Sequence, residues 1–116
     1  MCYLLQVKDR HNGNVLIDSK GRCIHIDFGF VFGISPGGVN FEKAPFKLTK
    51  EYVELMGGIE GEMFKYFKLR LLFGFLALRK HVDQFVYLLK IMMEDSDLPC
   101  FKLFDLDKFR SRFQEN

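Results

Sequence analysis

The spacing of apolar and polar positions changes character several times along the chain. Tyr3, Leu4, Leu5 and Val7 open it as an apolar stretch with no capping residue ahead. That pattern predicts the last turns of a helix already under way, and so a piece of something longer. Residues 9–14 are polar, include Gly13 and predict a loop. Two β-rich runs follow, Val15-Leu16-Ile17 and Cys23-Ile24-His25-Ile26, separated by Asp18-Ser19-Lys20-Gly21. Turn residues between two such runs predict a short hairpin.

From residue 30 to residue 47 no period persists, and Gly33, Pro36, Gly37, Gly38 and Pro45 interrupt any regular element. A structureless stretch of that length inside a compact domain predicts a functional or mobile loop. Thr49 is a suitable N-cap for a helix running to Met56, where Gly57-Gly58 would end it. Met63, Phe64, Phe67, Leu71, Phe75 and Leu78 then recur at spacings of three and four. They predict a helix over about 62–80, its Phe and Met stripe serving as core. Val82, Phe85, Val86, Leu89 and Met93 predict a second over about 81–94, and residues 106–113 a last short one. Lys65, Lys68 and Lys90 fall on the solvated faces.

At 116 residues the chain has the usual size of one domain, and a second globular unit is not expected. A hydrophobic fraction of 48%, with 14 Phe, is ample for a core and argues against disorder. The net charge of +2 is too mild to predict nucleic-acid binding or a strong electrostatic membrane anchor. Cys2, Cys23 and Cys100 form no C-x-x-C pair, and His11, His25 and His81 are not at zinc-ligand spacing beside them. Reduced, partly buried thiols in a cytosolic protein are the expectation. The apolar run at 71–78 is bounded by Arg70 and Arg79, well short of the roughly 20 residues a membrane span needs. Lys8, Asp9 and Arg10 follow the opening apolar run too closely for a signal peptide.

Candidate chemistry comes from spacing. Asn14 lies five residues after Asp9, and Asp27 thirteen after Asn14, directly beyond a strand and followed by Phe28-Gly29. Protein kinases carry the same Asp-to-Asn spacing in H-R-D-x-x-x-x-N, with D-F-G on the next hairpin. Phosphoryl transfer needs metal ions bridging the phosphates and an oriented acceptor hydroxyl. Asn and Asp oxygens are hard ligands suited to Mg²⁺, and a hairpin between them fixes their separation. His25 and Cys23, within the strand, are given no chemical role.

In this chain the first motif reads Asp9-Arg10-His11-Asn12-Gly13-Asn14, with His and Asp reversed relative to protein kinases, and His25-Ile26-Asp27-Phe28-Gly29-Phe30 follows. This combination resembles the phosphoinositide 3-kinase and 4-kinase superfamily. The resemblance continues through Pro45-Phe46-Lys47-Leu48-Thr49, Met56-Gly57-Gly58 and Leu98-Pro99-Cys100-Phe101, nearly the whole chain. Taken together the strings are similar to the type III phosphatidylinositol 4-kinases, with the helical stretch most like the beta type.

The resemblance implies an α+β fold, part of a kinase-like C-terminal lobe: a small β-hairpin carrying the catalytic site, then mostly α-helices. Residues 1–116 would be a partial catalytic domain with catalytic loop 6–14, activation loop 25–49 and helical part 49–113, its N-terminal lobe absent. The implied reaction moves the ATP γ-phosphate to the 4-hydroxyl of phosphatidylinositol. Asp9 and His11 match catalytic positions, with His11 a base or proton shuttle, since a neutral imidazole can accept a proton near pH 7. Asn14 and Asp27 match ligands of Mg²⁺ (or Mn²⁺), and Leu16 and Ile26 match the floor of the adenine pocket. Arg10, Phe28 and Gly29 would be structural support, and Phe30, Lys43 and Lys47 part of the substrate loop. Implied partners are ATP, phosphatidylinositol in membranes and the missing N-terminal lobe, with no nucleic acid. The implied place is the cytoplasm, peripheral on intracellular membranes such as Golgi.

Between residues 30 and 46 the only formal charges are Glu42 and Lys43. Further headgroup phosphates would need further Lys or Arg to match them on leaving water, so unphosphorylated phosphatidylinositol is the expected substrate. The choice of hydroxyl rests on the resemblance alone. No glycine-rich phosphate loop and no strand Lys precede Asp9, so the isolated chain is expected to transfer no phosphate. Apolar surface should lie bare around Leu16 and Ile26. Two alternatives stand beside this reading. A protein kinase of the phosphoinositide-kinase-related group shares a similar D-R-H and D-F-G, but Phe30, Met56-Gly57-Gly58 and Leu98-Pro99-Cys100-Phe101 weigh against it. A truncated remnant acting as an interaction module is the other; the intact Asp9, His11, Asn14 and Asp27 count against decay.

Overall fold

The structure, a computed structural model, describes residues 1–37 and 42–114. In chain order the elements are α1 (Cys2–Leu5), β1 (Val15–Ile17), β2 (Cys23–His25), α2 (Lys50–Leu55), α3 (Glu62–Arg79), α4 (Val82–Met93), a 3₁₀ turn at Pro99–Phe101, and α5 (Leu106–Ser111). This is the α+β arrangement of a partial kinase lobe, a two-stranded hairpin followed by helices. The chain packs as two compact units, one of residues 1–47 with 95–105, the other of 48–94 with the residues from 106 on.

In the first unit α1 ends where Gln6 turns left-handed at φ 48°, and the Val7 N–H closes back on the Cys2 carbonyl at 3.0 Å. β1 and β2 pair antiparallel in the register Val15 with His25, Leu16 with Ile24 and Ile17 with Cys23. Their connection is held by Asp18, whose carboxylate accepts the N–H groups of Lys20 and Arg22 at 2.9 Å and the Arg22 guanidinium at 2.7 Å. Those bonds hold the Asp18 carboxyl below its usual range, Arg22 being the main cause. Leu4, Val7 and Phe101 are buried here. Phe32 stacks on Phe101 with centroids 5.5 Å apart and meets Phe104 at 5.0 Å. The Leu98-Pro99-Cys100-Phe101 string therefore anchors the backbone just beyond Asp27-Phe28-Gly29.

In the second unit the Thr49 hydroxyl caps α2 by accepting the Tyr52 N–H. Gly57 and Gly58 end α2 with φ of 82° and 81°, a conformation that favours glycine. The core is small: Val86 and Leu89 of α4 and Phe109 and Phe113 are buried. Phe113 meets Phe85 at 5.7 Å and Phe109 at 5.2 Å, and an Arg110–Asp83 ion pair of 2.8 Å closes one edge.

The apolar stripe of α4 is at least half-buried along its length, as its period predicts. On α3 the core expectation fails. No residue of α3 is buried; Phe64, Phe67, Phe75 and Leu78 are half-covered, while Met63 and Leu71 are 60% and 50% exposed. Leu69, Leu72, Phe73 and Leu76 add further exposed apolar surface beyond the stripe. Periodicity marks the face that can be covered, not the presence of a neighbour. The thiols also differ from expectation in part: all three are free, Cys2 and Cys100 are half-buried, but Cys23 is exposed. Among the described residues no helix is long and apolar enough to cross a membrane.

Candidate active site

Arg10 is buried, and its guanidinium spends its donors on backbone carbonyls. Nε donates to Lys8 at 2.8 Å, Nη1 to Asn14 at 3.2 Å and Ile26 at 2.8 Å, and Nη2 to Asp27. Its cation also lies over the Phe28 ring, 5.6 Å from the centroid. The planar fork, with five donors, thus joins the 8–14 loop to the end of β2. The hairpin ladder is extended by the Ile26 N–H, which donates to the Asn14 carbonyl at 3.0 Å.

Asn14 is buried, and its Nδ2 donates to the Asp9 carbonyl at 2.8 Å and the Asp9 carboxylate at 3.4 Å. The same Nδ2 lies 3.1 Å from His11 Nε2, while the Gly13 N–H donates to His11 Nδ1 at 3.1 Å. A neutral imidazole has a single acceptor nitrogen, so these two contacts call for opposite tautomers. His11 Nε2 is 3.8 Å from Asp9 Oδ2. Asp9 and Asp27 both sit at left-handed φ, 58° and 56°, uncommon for non-glycine residues.

The exposed Asp27 carboxylate accepts the Gly29 N–H at 3.3 Å. It and the Asn14 side-chain carbonyl are hard oxygen donors on residues one rung apart. Among the described residues no group of three or more His, Cys, Asp and Glu could hold a metal alone. A pair of this kind suits a divalent cation that keeps waters and takes its remaining ligands from phosphates.

Leu16, Ile24 and Ile26 share one face of the hairpin by its alternation, and each is at least 40% exposed. On the opposite face His25 is half-buried, its Nδ1 enclosed without a hydrogen-bond partner and its Nε2 4.0 Å from Cys2 Sγ. Burial, then Arg10 and the chain's amino terminus, push the His25 imidazole below its usual value.

The 42–47 stretch is tied to the same loop. Lys8, buried, donates from Nζ to the Ala44 carbonyl at 2.7 Å and the Glu42 carbonyl at 3.4 Å. Lys47 Nζ donates to the Arg10 carbonyl at 2.8 Å. The Phe30 carbonyl accepts the Lys8 N–H at 2.9 Å, and Lys43 is exposed. Residues 38–41 of the loop, Gly38 among them, lie outside the described residues.

A family model described as "Phosphatidylinositol 3- and 4-kinase" matches residues 1–103. The chain belongs to the phosphatidylinositol 3- and 4-kinase family. It is 55% identical over 101 residues to phosphatidylinositol 4-kinase beta of Homo sapiens, covering 87% of this chain and 12% of that protein. The same protein of Sorex araneus is also 55% identical over 101 residues, covering 87% and 13%, and that of Bos taurus 56% over 100 residues, covering 86% and 12%. The chain spans 12% to 13% of the length of these curated relatives.

Within this family member, the structure brings Asp9, Arg10, His11 and Asn14 into one bonded cluster and ties Asp27 to it through Arg10. Phe28 joins through its ring and Lys47 through its ammonium. Sequence reasoning did not single out Lys8, Glu42 or Ile24. The alternation of β2 could have given Ile24, but nothing local pairs Lys8 or Glu42 with residues more than thirty positions away.

Proposed function

We propose that this segment supplies the catalytic loop, metal-ligand pair and substrate loop of a lipid kinase. It moves the γ-phosphate of ATP to the 4-hydroxyl of phosphatidylinositol, giving phosphatidylinositol 4-phosphate. The observation that carries this reading is the Arg10 fork, which holds Asn14, Ile26 and Asp27 in one frame. Phosphoryl transfer draws mainly on positioning and electrostatic stabilisation, and a rigid frame is what the protein must contribute. The relatives' name supplies the acceptor lipid and the 4-position.

In the reaction the inositol oxygen bonds to the γ-phosphorus while the bond from that phosphorus to the β-bridging oxygen breaks. The hydroxyl proton passes to the Asp9–His11 pair. Asp9 orients the acceptor, and His11, contacted on both ring nitrogens, relays the proton by exchanging tautomers. Asn14 and Asp27 would hold Mg²⁺ (or Mn²⁺), and the bound ion would supply positive charge against the phosphate oxygens. Leu16 and Ile26, with Ile24 between them, form an apolar floor for adenine. Arg10, Phe28 and Gly29 support the loops, and Phe30, Lys43 and Lys47 belong to the substrate loop.

Lys8, beside the loop, and Lys47, on it, both donate to carbonyls, so these two ammonium groups are already committed to holding the loop in place. That supports an unphosphorylated headgroup. The working position is peripheral, on the cytoplasmic side of intracellular membranes such as Golgi. The test is a graft of this chain in place of the matching segment of human phosphatidylinositol 4-kinase beta, assayed with radiolabelled ATP on phosphatidylinositol vesicles and on a peptide panel. Phosphatidylinositol 4-phosphate as the product supports the reading; the 3-phosphate or phosphopeptide would replace it.

A further inference from the structure

Glu42 lies within the substrate loop, yet its carboxylate receives the backbone N–H of Asp9, at 3.2 Å from Oε1 and 3.3 Å from Oε2. Asp9 holds left-handed φ, where a non-glycine residue needs support from its surroundings. The neighbours of Asp9 on both sides are tied to the same stretch. Lys8 donates to the carbonyls of Glu42 and Ala44, and the Arg10 carbonyl accepts from Lys47. Three successive residues of the catalytic loop therefore bind one short piece of the substrate loop. In the middle of the three, the bond runs from a backbone donor to a carboxylate, stronger than a bond between neutral groups.

We infer that Glu42 is a positioning residue for Asp9: its carboxylate holds the Asp9 backbone in its left-handed conformation only while the substrate loop is docked on the catalytic loop. Docking of the loop and alignment of Asp9 are then a single event. Glu42 touches no reacting atom, and its kinetic effect rests on the lipid-kinase reading above.

The test uses Glu42→Ala and Glu42→Gln, the latter keeping an acceptor oxygen without the charge. In the grafted kinase, Glu42→Ala should lower kcat about tenfold or more, with KM for ATP within about twofold. Glu42→Gln, which keeps a weaker neutral bond, should recover part of the loss. In the 116-residue chain, exchange of the Asp9 amide proton followed by NMR should speed up about tenfold in Glu42→Ala and much less in Glu42→Gln. An unchanged kcat, a rise in KM alone, or equal damage by both variants overturns the inference. If the unmutated graft transfers no phosphate, the lipid-kinase reading falls, and Asp9 amide exchange decides the Glu42 contact by itself. Unchanged exchange in Glu42→Ala overturns it there as well.

Discussion

The Arg10 guanidinium donates to the backbone carbonyl of Asp27, seventeen residues along the chain. A side chain of the 8–14 loop thus fixes the residue that opens the Asp-Phe-Gly turn, and it does so through the main chain. The exposed Asp27 carboxylate takes no part in this restraint, which falls on the peptide; it accepts the Gly29 N–H instead.

Arg10→Lys should fail to keep this frame, since a lysine ammonium cannot reach four separate carbonyls in the planar arrangement of the fork. The expected cost is about 2 kcal/mol or more, from losing several charge-assisted bonds at a buried position. Urea unfolding of the 116-residue chain measures it. A variant as stable as the unmutated chain would show that the carbonyl bonds contribute little.

Acidification should loosen the hairpin through Asp18. Its carboxyl is held below 3.8 by the N–H and guanidinium of Arg22, with a smaller contribution from Lys20. The stabilisation is fully present above that value and is lost as pH falls through it toward the lower folded value, because the unfolded chain takes up the proton first. Asp18→Asn should flatten the dependence of hairpin stability on pH in that window. Amide exchange of Leu16 and Ile24, the hydrogen-bonded rung of the ladder between the Asp18–Arg22 and Asn14–Ile26 bonds, reports it between about pH 5 and about pH 2.5; equal slopes for both proteins would remove Asp18 as the cause.

Headgroup choice should follow loop charge. A basic cluster introduced across residues 35–39, of which 38 and 39 lie outside the described residues, should raise activity on phosphorylated inositides relative to phosphatidylinositol. Gly37 is best spared, because its φ of 73° would strain any replacement. The readout is the activity ratio across a headgroup panel in the grafted kinase. A ratio that does not move contradicts the charge argument.

The hairpin and the helix limits were legible because they rest on local chemistry. Asp18 and Gly21 mark the turn, Thr49 caps α2, Gly57-Gly58 ends it, and the α4 stripe matches its buried side. The candidate site stood out as a spacing of Asp9, Asn14 and Asp27, which the structure gathers around Arg10, and the order Asp-Arg-His indicated the family. Long-range pairing could not be read. Lys8 looks like an ordinary exposed lysine until Ala44 is placed beside it, and Glu42 looks like a loop charge until it meets Asp9. On α3 the stripe was real but uncovered, because a period in sequence does not name a neighbour.

Turnover of the grafted kinase with and without Asp27 tests the central claim most directly. The unmutated graft should convert phosphatidylinositol to its 4-phosphate, and Asp27→Ala should lower kcat by about a thousandfold or more while the protein keeps its melting temperature within a few degrees. An Asp27→Ala graft that turns over at a rate close to the unmutated one would contradict the assignment of this segment as the metal-holding wall of a lipid kinase.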